Sequence, residues 1–78
     1  MARPANWIKD LEEECKDMKS MTPRTNPFTG EAVKLPVTAA AIYDTIKGAE
    51  MMGQYEVVRQ GLDWFINNHP EEYMTLLD

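Results

Sequence analysis

From Thr38 to the end of the chain, apolar residues recur at intervals of three and four, interrupted at Gly53 and at His69-Pro70. That spacing places them on one face of a helix, so the run predicts helix, break, helix and a short terminal helix. Thr38 is the expected N-cap of a helix over 38–52, whose first turn is Ala39-Ala40-Ala41. Ile42, Ile46, Ala49 and Met52 or Gly53 make its apolar line, with Tyr43 beside it. Gly48 in the interior costs about 1 kcal/mol relative to Ala, and the expected reason is close approach of another backbone. Gly53 is the natural break, because glycine accepts the left-handed conformation that ends helices.

The helix expected over 55–68 carries one stripe of Tyr55, Val58, Leu62, Phe65 and Ile66 and a second line of Val57, Gly61 and Trp64. Two lines cover more than a simple two-layer packing needs, so this helix is expected to be central or to face a second chain. Arg59 and Asp63 stand in i,i+4 relation as an expected exposed pair. Asn68-His69-Pro70-Glu71-Glu72 has proline and carboxylates where a helix start wants them. The resulting helix over 70–77 presents Tyr73, Met74, Leu76 and Leu77 for docking.

A first helix is expected over 7–19, capped by Asn6, with Trp7, Ile8, Leu11, Cys15 and Met18 on one face. Asp10, Glu12, Glu13 and Asp17 fill the other face, an ordinary solvated surface, with Glu12–Lys16 as a favourable i,i+4 pair. Cys15 lies on the apolar stripe and is expected to pack as a small hydrophobe. Between these halves, Pro23, Pro27 and Pro36 break the helical period. Asn26-Pro27-Phe28-Thr29-Gly30 is a turn signal. Glu31–Leu35 alternates weakly, but an isolated strand is unstable, so a sheet is not expected unless Met21–Thr25 pairs with it. Phe28, Val33 and Leu35 are expected to pin this segment across the helices. The fold class that follows is all-α: one small domain over 1–78, with three main helices (7–19, 38–52, 55–68), a short C-terminal helix (70–77) and a long Pro-rich irregular connector (20–37).

Length and charge bound the function. A chain of 78 residues buries only about 60–65% of its unfolded surface, and domains this small often gain stability by associating. One cysteine and one histidine, Cys15 and His69, make neither an internal disulfide nor a structural zinc site, which fits a reducing, cytoplasmic setting. No apolar run approaches the roughly 20 residues needed to span a bilayer, and the first residues lack a signal peptide's apolar core. A net charge of −5 argues against nucleic acid and anionic membrane as partners. None of the metalloprotease, nucleophile-elbow, phosphate-loop or paired-cysteine motifs is present.

The expected function is therefore a non-catalytic protein-interaction module without cofactor or metal, acting by homo-oligomerisation or on a larger protein. Its expected surface comprises Trp64, Val57, Gly61, Tyr73, Met74 and Leu77, and its six methionines suit adaptable contacts. The alternatives are an acidic inhibitor that mimics nucleic-acid charge, through Glu12, Glu13, Glu14 and Asp17, and a virion assembly component.

Two resemblances add to this reading. Gly53, Tyr55, Val58, Leu62, Phe65, Ile66 and Pro70 are similar in spacing to the small and large positions of a tetratricopeptide-type hairpin. The match covers about half of one repeat, with Val58 where alanine is usual. Asn26–Gly30, Tyr43-Asp44, Gly61–Phe65 and Tyr73–Asp78 resemble a class of small proteins of unassigned activity from tailed bacteriophages. That resemblance implies a viral origin and a host-cell cytoplasm, not an activity.

Overall fold

The computed structural model describes residues 6–77. Four helices and one hairpin follow in the order α1 (Trp7–Cys15), β1 (Met21–Thr25), β2 (Ala32–Pro36), α2 (Val37–Met52), α3 (Tyr55–Asn68) and α4 (Pro70–Leu76). The all-α expectation is thereby corrected. The segment read as an irregular connector is an antiparallel pair in which Thr22 faces Leu35 and Arg24 faces Val33. The turn at Asn26–Gly30 supplies the condition under which Glu31–Leu35 stops being an isolated strand. It folds the chain back and gives Ala32–Pro36 a partner in Met21–Thr25.

Proline in β1 is compatible with this because of its register. The Asn26 amide donates to the Glu31 carbonyl at 2.8 Å, so bonded pairs alternate outward through Arg24–Val33 and Thr22–Leu35. Pro23, opposite Lys34, falls on a pair that exchanges no bonds, and the N–H it lacks would have pointed out of the hairpin. Proline on an outer edge also denies that edge to further strands.

Helix boundaries moved for local reasons. α1 stops at Cys15 instead of running to 19, its carbonyl taking the Met18 amide at 2.9 Å in a closing turn. α2 begins at Val37, directly after Pro36, and Thr38 does not cap it with its side chain. Gly53, at φ 72°, ends α2 as expected. Its amide and that of Gln54 return to the carbonyls of Glu50 and Ala49, at 3.3 and 2.9 Å, the paired bonds of a Schellman cap. Pro70 opens α4 with Glu71 and Glu72 in the first turn, where the helix dipole favours negative charge.

The core lies between α2, α3 and the inner face of the hairpin. Phe65, Leu35, Ile42 and Ile46 are its largest fully buried side chains, joined by Trp7 and Leu76 from the two terminal helices. α3 turns Val57, Gly61 and Phe65 inward, drawing on both expected lines; Val58, Leu62 and Trp64 pack half-buried against the core, and Tyr55 and Ile66 are exposed. Gly61 sets the α2–α3 spacing, because a methyl there would overlap the Ile46 side chain. α1 is tied across α3 at two points. The Trp7 indole N–H donates to Gln60 Oε1 at 2.8 Å, and the Trp64 indole N–H to Glu12 Oε2 at 3.0 Å. Glu12 is thus engaged with α3, and Lys16 pairs with Glu13 instead.

Candidate interaction surface

Most of the expected surface is inside the fold. Val57 and Gly61 are buried between α2 and α3 and leave the candidate surface, since α3 presents that line to Ile46. Trp64, Tyr73 and Leu77 are half-buried and pack against the core. Trp64 meets Phe65 edge-on and stacks at a tilt against His69, both with ring centroids 5.4 Å apart. Of the six, Met74 alone is largely exposed. Trp64 on α3, Tyr73 and Met74 on α4 and Leu77 at its end keep part of their surface exposed, whereas Val57 and Gly61 do not.

A different set converges at the corner where α2 ends and α3 begins. Met51 is 88% exposed, Tyr55 75% and Met52 73%, and all three lie within the turn that the Gly53 cap holds. A fixed backbone thus carries three large apolar side chains outward. Ile42, Ile46 and Ala49 bury α2's other side, and Met51 and Met52 fall just beyond the point where that apolar line has core to cover.

Beside this corner lies an open groove of about 290 Å³, lined by Asp44, Thr45, Gly48, Ala49, Met52 and Gln54. Gly48 forms part of it, and among the described residues nothing lies within 4 Å of where a Cβ would stand. The close backbone approach expected at Gly48 is therefore absent; that role belongs to Gly61. Asp44 holds one side of the groove in a two-pronged pair with β1. Arg24 Nε donates to Asp44 Oδ1 at 2.9 Å and Nη2 to Oδ2 at 2.7 Å. That hydrogen bonding raises the guanidinium's pKa above its ordinary value, against the opposing effect of burial. Both charges are thereby compensated locally.

The second exposed feature is the hairpin tip. Phe28, expected to pin the segment inward, is 90% exposed; only Val33 and Leu35 turn in. Asn26 explains the geometry. Its buried side chain donates from Nδ2 to the Thr75 carbonyl at 2.8 Å, and its Oδ1 accepts the Phe28 amide at 2.8 Å. The Gly30 amide returns to the Asn26 carbonyl at 2.8 Å, and Gly30 itself sits at φ 78°. A residue at the apex of so tight a turn points away from the core, which is the signal the sequence carried for Phe28.

Among the described residues no three His, Cys, Asp or Glu side chains are placed to hold a metal ion. His69 packs on rings and lies 3.8 Å from Glu72; neither it nor Tyr43 lines the groove. Cys15 is a buried free thiol. Among the described residues no helix is long and apolar enough to cross a membrane. No protein-family model, curated protein or solved structure matches the chain.

Proposed function

We propose that this protein is a small interaction module that binds another polypeptide through the α2–α3 corner and the adjoining groove. The observation that carries the reading is the outward display of Met51, Met52 and Tyr55 by a fully capped helix end. Methionine and tyrosine are enriched at protein interfaces, and lysine and glutamate are depleted there. Exposed apolar residues grouped beside a concavity mark contact sites more often than singly scattered ones do. The groove is at the small end of ligand-site volumes, which suits one inserted side chain better than a cofactor.

The test is a comparison between wild type and Met51→Glu/Tyr55→Glu as bait in the source cells. Both residues are exposed, so the double variant is expected to fold with an unchanged circular dichroism spectrum and melting temperature. A protein recovered with wild type and lost with the variant is the expected result, confirmed with the two purified components. Recovery that is equal for both baits would refute the reading.

A further inference from the structure

The hairpin tip and the groove are both exposed, and within one molecule the Phe28 ring lies outside the groove. Phe28 is 90% exposed, so it does not enter its own chain's groove, although Arg24 anchors the same hairpin to the groove residue Asp44. Resting on the reading of the corner as a binding surface, we propose that Phe28 of one copy seats in the Gly48 groove of a second copy.

Three observations carry this. The first is Gly48, an interior helix glycine that costs stability and where a Cβ would meet no other described residue. It lines the groove of about 290 Å³ together with the apolar Ala49 and Met52 and the polar Asp44, Thr45 and Gln54. The second is the tip's rigidity. The buried Asn26 side chain, the positive-φ Gly30 and the bond to Thr75 hold Phe28 outward before any partner arrives. A pre-organised aromatic anchor loses little freedom on binding. The third is charge. The chain carries a net −5, yet Thr25 to Gly30 contains no charged residue, and the Asp44 carboxylate in the groove is compensated by Arg24. Tip and groove are neutral patches on an otherwise acidic molecule, so two copies can approach there without the like-charge repulsion met elsewhere.

Sedimentation equilibrium over a concentration series tests the proposal with wild type, Phe28→Ala and Gly48→Leu. Phe28→Ala removes an exposed ring, and Gly48→Leu fills open space with a better helix former. Both are expected to keep the wild-type circular dichroism spectrum, with Gly48→Leu melting no lower than wild type. Wild type is expected to self-associate, and each variant to do so more weakly by roughly tenfold or more. An equimolar mixture of the two variants restores one tip–groove contact, because one supplies Phe28 and the other an open groove. Its association is expected to lie between wild type and either variant alone. In a mixed-label sample, intermolecular NOEs are expected between the Phe28 ring and the Met52 methyl. A wild type that stays monomeric into the millimolar range overturns self-docking, as does association that neither variant weakens or a mixture no stronger than its parts. Each of those results leaves the corner's binding to another protein to be judged by the Met51→Glu/Tyr55→Glu comparison.

Discussion

Two helix-interior glycines have opposite surroundings and should respond oppositely to the same substitution. A methyl on Gly61 would overlap Ile46 and approach the Trp7 ring, so Gly61→Ala forces α2 and α3 apart or Ile46 into a poorer rotamer. Overpacking of this kind costs about 1–3 kcal/mol. Gly48→Ala meets no atom of the described residues and should stabilise by up to about 1 kcal/mol through helix propensity alone. Urea titrations of the two variants should move the midpoint in opposite directions; movement in the same direction would show that Gly48 is not open. Asn26 is the third residue whose single side chain decides local structure. Asn26→Ala leaves the Thr75 carbonyl and the Phe28 amide without their partners, a loss of about 1–3 kcal/mol. Asn26→Asp should recover little of it, because a carboxylate cannot donate to Thr75. Full recovery of the urea midpoint in Asn26→Asp would mean that the Nδ2 bond contributes nothing.

At the scale of elements, the helices were legible where a chemical punctuation mark accompanied the period. Gly53 and Pro70 sit at the expected boundaries because a left-handed cap and an N1 proline each have one natural position. The hairpin was legible only as a condition, that Met21–Thr25 pair with Glu31–Leu35, because neither strand alternates strongly and a proline interrupts β1. Its compatibility depends on pairing parity, which appears only once the partner strand is known. On α3 the longer apolar stripe was legible in part: Phe65 is fully buried and Val58 and Leu62 pack against the core, but Tyr55 and Ile66 stand exposed. The helix turns Val57, Gly61 and Phe65 inward, and the missing side chain at Gly61 admits Ile46. The hairpin's attachment to α2 rests partly on Arg24 and Asp44, whose side chains are 29% and 55% exposed. A pair so placed contributes up to about 1 kcal/mol. A double-mutant cycle with Arg24→Ala and Asp44→Ala should return a coupling of that size that shrinks in high salt. A coupling insensitive to salt would assign the attachment to packing instead.

For the whole molecule, a radius of gyration of 12.0 Å lies near the ~11.5 Å of a compact chain this long. The core joins all four helices and the hairpin in one cluster, so no element should unfold alone. Fluorescence from Trp7, buried between α1 and α3 and isolated in a Trp64→Phe variant, should follow the same urea transition as helical circular dichroism. Separate midpoints would divide the molecule into independent units. The hydrogen bond from Asn26 to Thr75 spans 49 positions and connects the hairpin turn to the last helix. This changes what exposure means at the tip. The backbone amides of Phe28 and Thr29 stand at the surface yet are held by Asn26 Oδ1, and the same side chain is tied through Nδ2 to Thr75 in α4. Deuterium uptake at those two amides should therefore keep the slow clock of α4's opening, not the fast one of a loop. Loosening α4 with Leu76→Ala, at a side chain 2% exposed, should quicken exchange at Phe28; an unchanged rate there would uncouple the two ends.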